Sequence, residues 1–298
     1  MAVATAGIEG ADILEHQIES QWRAIVRRFM RHRLAVASII VLTIIIVLSL
    51  AAPLVASYDP NRNNPTQKNL PPSSQHLLGT DYIGRDIFAR IIYAGRVSLG
   101  IAFVTVFFSE GLGVVIGVIS GYFGGWVDSL IMRTVDFMLT LPFLPVLLVL
   151  ITIFNPSITL LIIVLVLTQW TGSARLIRGQ ILSLREREFV EASRALAASK
   201  ARIMFRHLLP NAFAPVIVSA TLGLSGIIIT EAVLSYLGFG VQPPDASWGN
   251  MLQAVDLTVL DKYAWQAFFP GLAIFITSLC FNFIGDGLRD ALDPRMKL

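Results

Sequence analysis

Long stretches without charged residues are the feature that most limits how this chain can fold. Residues 137–174 contain no Asp, Glu, Lys or Arg over 38 positions. Similar windows, uncharged apart from Glu110 in the last, occur at 34–58, 208–230, 263–285 and 97–127. Apolar windows of about 18 or more residues are long enough to cross a bilayer as helices. The sequence therefore predicts an all-α polytopic membrane protein.

Six transmembrane helices are predicted. The 38-residue window is too long for one span, and Asn155-Pro156 supplies a turn that divides it. The first apolar run is too long for the core of a signal peptide, so we interpret it as an uncleaved span. The predicted spans are 34–57, 93–121, 127–153, 157–176, 211–238 and 265–286.

The distribution of basic residues predicts the orientation. With the N-terminus inside, 17 of the 23 Lys and Arg residues lie in cytoplasmic segments, as the positive-inside rule requires. Both termini are then cytoplasmic. The predicted segments are 1–33 inside, 34–57 as the first span, a loop 58–92 outside, a core 93–290 with a cytoplasmic loop 177–210, and a tail 291–298 inside.

The segment before the first span is predicted to be an amphipathic helix. Ile18, Trp22, Ile25 and Phe29 share one helical face, and arginines occupy the other. Such a helix is typical of a segment that lies on anionic membrane lipid, although a solvated basic face remains an alternative.

No catalytic or metal-binding pattern is present. The four histidines have no ligand-like spacing to Cys or to a carboxylate, so neither a metal nor a cofactor is expected on this chain. The segment GTDYIGRD (79–86) has glycines spaced as in a phosphate loop, but Arg85-Asp86 stand where Lys and Ser or Thr are needed. We interpret it as a structured turn.

Two carboxylates lie inside predicted spans. A lone carboxylate at membrane depth is costly and usually faces a cavity or a partner. Glu110 and Glu231 are therefore candidates for lining a translocation path or a gate. The alternative is a structural hydrogen bond that fixes helix packing.

Glycines in span two (Gly100, Gly111, Gly113, Gly117, Gly121) predict close helix packing, within the chain or against a second subunit.

The cytoplasmic loop 177–210 is predicted to form two short helices. Residues 188–198 are strong helix formers, with Phe189, Ala192 and Leu196 on one stripe. Ser199 is placed to cap a second helix at 201–208, and Pro210 leads into span five. The apolar stripe could dock on a soluble partner or pack on the chain's own membrane base. Binding to nucleic acid is disfavoured, because acidic residues are mixed with the basic ones.

This loop resembles the EAA loop of membrane subunits of binding-protein-dependent ABC importers. Glu191-Ala192-Ser193, position 197, position 207 and Leu209-Pro210 match that motif in register, with Ser193, Ala197 and His207 as departures. The usual residue at 197 is Gly. Because Ala in a left-handed conformation costs roughly 1 kcal/mol more, the turn is expected to shift towards Ala198-Ser199, or the first helix to run longer.

The resemblance extends over nearly all of the chain after the first span. Residues 76–100, 235–252 and 285–298 are similar to the second permease subunit of dipeptide, oligopeptide and nickel importers. It implies a type I importer (MetI-like) core of five helices preceded by one N-terminal helix. It also implies a non-catalytic subunit for uptake of dipeptides or short oligopeptides, in a bacterial or archaeal cytoplasmic membrane. Nickel chelates, glutathione or another small solute are alternative cargoes.

The implied partners are a homologous second permease, two cytoplasmic ATPases that carry ATP and Mg²⁺, and an extracytoplasmic solute-binding protein. The implied coupling residues are Glu191, Ala192, Ser193, Arg194, Ala195, Leu196, Ala197, Ser199, Arg206, His207, Leu209 and Pro210. A secondary transporter or channel working alone is a rival class, which would predict internal inverted repeats. A membrane-embedded enzyme is another, which would need a catalytic constellation.

Overall fold

The computed structural model describes residues 21–154, 156–255, 258 and 260–292. Predictions for residues 1–20, Asn155 and residues 293–298 lie outside the described residues. The helices, in chain order, are α1 Gln21–Arg31, α2 Arg33–Leu50, α3 Ala52–Val55, a 3₁₀ turn Pro65–Gln67, α4 Ile87–Phe123, α5 Gly125–Thr140, α6 Phe143–Ile153, α7 Ile158–Leu184, α8 Glu188–Ala195, α9 Lys200–Arg202, a π-helix Ile203–Leu208, α10 Leu209–Asn211, α11 Phe213–Tyr236, α12 Trp248–Gln253 and α13 Trp265–Leu292.

Five of these helices are long and apolar enough to cross a membrane: α2, α4, α7, α11 and α13. A sixth span results if α5 and α6 are counted as one bent unit. Among the described residues the architecture is all-helical, so the predicted fold class is confirmed.

Predicted span three is not one straight helix. The chain bends by 88° between α5 and the Leu144–Leu150 part of α6. Leu141 ends α5 in an extended conformation (φ −72°, ψ 129°), and Pro142 follows it. Steric contact with a proline ring disfavours the α conformation in the preceding residue. The segment is apolar enough for a span, as predicted, but Pro142 interrupts it, and it counts as one span only if the bent pair is taken as a unit.

Two long helices extend the predicted spans into the flanking loops. α4 begins at Ile87, because Asp86 caps it by accepting a hydrogen bond from the Ala89 amide at 2.7 Å. α7 continues to Leu184, well beyond the predicted end of span four at residue 176. The loop between α7 and α11 therefore begins at Arg185.

Glycines of α4 allow it to lie directly against α7. A Cβ atom at Gly113 would sit 2.6 Å from the carbonyl oxygen of Trp170, and one at Gly117 would sit 2.6 Å from that of Ala174. One further turn along, a Cβ atom at Gly121 would sit 2.8 Å from Ile181 Cβ and 3.0 Å from the Arg178 carbonyl oxygen. No side chain fits between these backbones, so α4 and α7 pack as a tight pair.

The remaining two glycines of the predicted set behave differently. Added Cβ atoms at Gly100 and Gly111 would meet nothing within 4 Å. Gly113, Gly117 and Gly121 therefore pack within the chain, whereas Gly100 and Gly111 lie on an open surface.

The loop between α3 and α4 forms a structured cap with the start of α13. Asp81 accepts hydrogen bonds from the amides of Ile83 (3.0 Å) and Arg85 (2.9 Å), and its other oxygen accepts one from Arg85 Nε (2.6 Å). Gly84 has φ +85°, and a Cβ there would sit 1.9 Å from the Asn64 carbonyl oxygen. This geometry agrees with the interpretation of GTDYIGRD as a structured turn. Gln266 of α13 joins it by donating to Asn69 Oδ1 at 2.7 Å.

Candidate functional site

The loop between α7 and α11 contains the first predicted helix, α8. Its first turn carries Glu188 and Glu191, and its last turn carries Arg194, a distribution that suits the helix dipole. The helix ends in a Schellman arrangement. The Ala197 amide donates to the Arg194 carbonyl (2.9 Å), and the Ala198 amide donates to the Ser193 carbonyl (3.1 Å).

Ala197 occupies the left-handed position of this turn, with φ +53°. The expected shift of the turn, or extension of the helix, is therefore wrong. The two hydrogen bonds that close the helix form only when residue 197 is left-handed, and they outweigh the roughly 1 kcal/mol cost of placing Ala there. The turn therefore stays at residue 197, although the left-handed conformation is unfavourable for Ala.

The second half of the loop begins as predicted. Ser199 Oγ accepts a hydrogen bond from the Arg202 amide at 3.3 Å and caps α9. The chain then widens into the π-helix Ile203–Leu208, whereas an ordinary helix was predicted. Pro210 explains the wider turn, because a proline ring clashes with the carbonyl of the residue four positions earlier in an α-helix. Asn211 Nδ2 donates to the exposed His207 carbonyl at 2.7 Å.

One face of the loop packs on the chain itself. Val190 of α8 is completely buried, and Ile203 and Leu208 are 2% and 0% exposed. They belong to one cluster with Ile177 and Ile181 of α7. The residues that pack on the chain itself therefore lie outside the predicted apolar stripe.

The other face of the loop is open. The predicted stripe residues Phe189 and Leu196 are 39% and 84% exposed, and Ala192 is exposed as well. The other predicted coupling residues divide into two groups. Those that are exposed are Glu191, Arg194, Ala195, Ala197, Ser199, Arg206 and Pro210, and those that are half-buried are Ser193, His207 and Leu209.

Polar contacts tie the base of this loop to the ends of the long helices. Arg185 Nη1 donates to the Gly121 carbonyl of α4 at 3.1 Å. Arg178 of α7 donates from Nε and Nη2 to the two carboxylate oxygens of Asp128 on α5. Lys200 Nζ lies 5.6 Å from the centre of the Phe123 ring. The loop is thus attached to α4 at one end of the molecule, where α7 is in turn held to α5.

A cavity of about 310 Å³ lies between α4, α7 and α11 and contains Glu110. Glu110 accepts hydrogen bonds from Ser173 Oγ of α7 (2.6 Å) and from Ser219 Oγ of α11 (3.0 Å). The carboxylate is half-exposed, on the cavity side. Its position fits the prediction that Glu110 lines a path, while its two hydrogen bonds also join three helices.

Glu231 has different surroundings. It is completely buried and accepts hydrogen bonds from Ser98 Oγ of α4 (3.0 Å) and Ser235 Oγ (2.6 Å). Ser98 Oγ in turn accepts a hydrogen bond from the Trp248 amide of α12 (3.2 Å). This geometry favours the alternative interpretation of Glu231, a hydrogen bond that fixes helix packing.

The sequence analysis missed most of the cavity wall. Ser219, Gly223, Gly226 and Thr230 of α11 all line the cavity. Their spacing of three and four residues places them on one helical face. A face of small and polar residues within an apolar span is a signal that could have identified the cavity before the structure.

Known proteins match this chain along nearly its whole length. Residues 113–298 match the family described as binding-protein-dependent transport system inner membrane component. Residues 20–72 match the N-terminal TM domain of oligopeptide transport permease C.

Individual relatives give the same result. The chain is 46% identical, over 91% of its length and 90% of the relative's, to a provisionally named peptide permease protein of Brucella suis biovar 1. It is 40% identical to the dipeptide transport system permease protein of Alkalihalophilus pseudofirmus, over 93% and 91% of the two chains. It is 39% identical to the oligopeptide transport system permease protein of Bacillus subtilis, over 99% and 96%.

The fold also has a solved counterpart. A chain of the inward-facing MetNI methionine ABC transporter superposes with a TM-score of 0.53 at 20% identity, covering 66% of this chain and 94% of that one. At that identity the likeness concerns the fold alone. The sequence matches show that this chain belongs to the family of binding-protein-dependent transport system inner membrane components.

Proposed function

We propose that this chain is the permease subunit of an ATP-driven importer and forms half of a translocation path for dipeptides or short oligopeptides. The observation that carries the proposal is the division of the loop between α7 and α11 into two faces. Val190 anchors one face on the membrane helices, and Leu196 at 84% exposure leads the other. An apolar surface presented on a fixed base is suited to docking into a groove of a partner.

The partner on this face is proposed to be a cytoplasmic ABC ATPase, one of two in the complex. ATP and Mg²⁺ would be held there, and this chain would carry out no covalent chemistry. ATP-driven closure would move α8, the contact of Arg185 with the Gly121 carbonyl would pass the movement to α4, and the contact of Arg178 with Asp128 would pass it from α7 to α5. The exposed residues Glu191, Arg194 and Arg206 would form the polar rim of the contact.

A second, homologous permease is proposed to complete the path. The Glu110 cavity is open on one side, so a single chain does not enclose it. An extracytoplasmic solute-binding protein would deliver cargo to the surface formed by the α3–α4 loop and α12. The complex would lie in a bacterial or archaeal cytoplasmic membrane, with both termini cytoplasmic and α1 on the lipid surface.

Peptide cargo is supported by the named relatives, which include dipeptide and oligopeptide permeases at 39–40% identity. Nickel chelates, glutathione or another small solute are the alternatives within the same transporter type. A stand-alone secondary transporter is the rival of a different class, and it gives no role to the exposed face of α8.

Reconstitution tests the proposal. The chain, co-expressed with candidate permease, ATPase and binding-protein subunits from the same organism, should be purified as one complex and inserted into proteoliposomes. Uptake of a radiolabelled dipeptide should require both ATP and the binding protein. Uptake by this chain alone, without ATP, would show that it is a secondary transporter instead.

A further inference from the structure

We propose that Glu110 binds the positively charged amino terminus of the peptide cargo. This inference rests on the proposed function and adds a residue and a recognised group to it. The proposed function by itself makes Glu110 only a lining residue of the translocation path. A chemical role follows from its charge, its partners and the space beside it.

The charge of Glu110 is only partly satisfied within the chain. Its two oxygens accept one hydrogen bond each, from Ser173 at 2.6 Å and Ser219 at 3.0 Å. An ionised carboxylate has about four acceptor positions, so each oxygen keeps capacity for a further donor. The two hydroxyls hold the carboxylate in place and leave its cavity side open.

Neighbouring basic residues are already engaged elsewhere. On α7, which supplies Ser173, Arg175 pairs with Asp136 and Arg178 pairs with Asp128. The pairing of Asp136 with Arg175 occurs in place of a pair with its helix neighbour Arg133. Within the described residues, Glu110 forms no ion pair. A carboxylate at membrane depth that faces a cavity calls for a cation, and here the ligand can supply it.

Glu231 is the contrasting case in the same chain. It is also a span carboxylate held by serine hydroxyls, but it is 0% exposed and sealed by α4 and α12. No ligand can reach it. Glu110 has similar partners but has open space beside it. Glu110 is therefore placed to bind a ligand, whereas Glu231 fixes helix packing.

The cavity wall suits a primary ammonium group on a peptide backbone. Cβ atoms at Gly172 and Gly226 would meet nothing within 4 Å, and one at Gly223 would come within 3.9 Å of Glu110 Oε1. Glycine at such positions allows a ligand backbone to approach closely. An ammonium has three N–H donors, and acceptors are available from Glu110 and from the side-chain oxygen of Gln169, which lines the same cavity one helical turn from Ser173. Among the described residues no group of three His, Cys, Asp or Glu could hold a metal ion.

Equilibrium binding tests this assignment. The complete transporter is purified in detergent, and binding of a radiolabelled dipeptide is measured without ATP and without the binding protein. The comparison ligands are the N-acetylated dipeptide, which loses the positive charge, and the N-methylated dipeptide, which keeps it and adds bulk. Wild type should bind the free and N-methylated forms about 10- to 100-fold more tightly than the acetylated form.

Glu110→Gln should abolish this preference by weakening binding of the charged forms. Glu231→Gln is the matched control, and it should retain the preference even if the complex becomes less stable. The assignment is overturned if Glu110→Gln still prefers the charged forms. It is equally overturned if wild type binds all three forms alike or binds none saturably, and this comparison needs no variant to fold.

Failure of the broader proposal gives a different result. If wild-type proteoliposomes show no ATP-dependent uptake, the proposed function itself fails. If uptake is normal but the amino group has no influence on binding, only the role of Glu110 fails.

Discussion

Val190 and Leu196 lie on different faces of α8, one completely buried and the other 84% exposed. Both are branched apolar residues, and they are separated by less than two helical turns. Val190 therefore holds α8 to its own chain, whereas Leu196, directly after the last residue of the helix, is exposed and able to contact another protein.

Replacing these two residues should have opposite consequences. Leu196→Asp should leave the subunit folded, because the side chain is exposed, but it should weaken ATPase docking by about 10- to 100-fold, the equivalent of one buried Leu. Val190→Asp should prevent folding, because it buries a carboxylate without a partner. Co-purification of the ATPases and size-exclusion profiles distinguish the two. Wild-type retention of the ATPases by Leu196→Asp would exclude this face as the docking surface.

Ala197→Gly should stabilise the loop. The residue has φ +53°, a conformation in which Gly is roughly 1 kcal/mol better than Ala. Amide hydrogen exchange at Ala198 should slow by about fivefold, the equivalent of that energy. Ala195→Gly, inside α8, should instead cost about 0.5–1 kcal/mol and speed exchange. Similar effects from both variants would show that Ala197 is not left-handed in solution.

Gly117→Ala should destabilise the subunit by about 1–3 kcal/mol, because its methyl group would collide with the Ala174 carbonyl of α7. Gly111→Ala, on the same helix, faces open space and should be neutral or stabilising by up to about 1 kcal/mol. Thermal unfolding of the isolated subunit in detergent measures both. Equal sensitivity at the two positions would contradict the close contact of α4 with α7.

Arg178→Lys should lower stability by about 1–2 kcal/mol, because Lys cannot reproduce the two hydrogen bonds to the Asp128 carboxylate. The matched control is Arg175→Lys. Arg175 and Asp136 are 48% and 61% exposed, and an exposed pair contributes at most about 1 kcal/mol. The thermal midpoint should fall clearly for the first variant and little for the second. A larger fall in the thermal midpoint for Arg175→Lys than for Arg178→Lys would show that the Arg175–Asp136 pair contributes more to stability.

The sequence predicted the spans well because uncharged length is itself the physical requirement for crossing a bilayer. It did not predict the bend at Leu141-Pro142. Mean hydropathy does not depend on the path of the chain, so a straight span and a bent segment of equal apolarity give the same value. Only the proline distinguishes them in the sequence. Pro142 was visible in the sequence, but whether it would end a helix or merely begin the next one depended on the packing around it.

The candidate site was predicted only in part for a related reason. Helical periodicity placed Phe189, Ala192 and Leu196 on one stripe, which is correct. It could not show that Val190, next to Phe189, is held by helices far away in the chain. Glu110 and Glu231 were likewise equivalent in sequence, since both interrupt apolar spans. Only the arrangement of α4, α7, α11 and α12 leaves one beside a cavity and seals the other.

The glycine contacts of α4 with α7 have a mechanical consequence. From Gly113 to Gly121, over about 12 Å, α4 presents glycines to α7, and the side chains of Ile177 and Ile181 lie directly against its backbone. Neither helix can slide along the other without separating first. A displacement of α4 at Gly121 would therefore carry α7 with it, and with the two helices the wall of the cavity around Glu110.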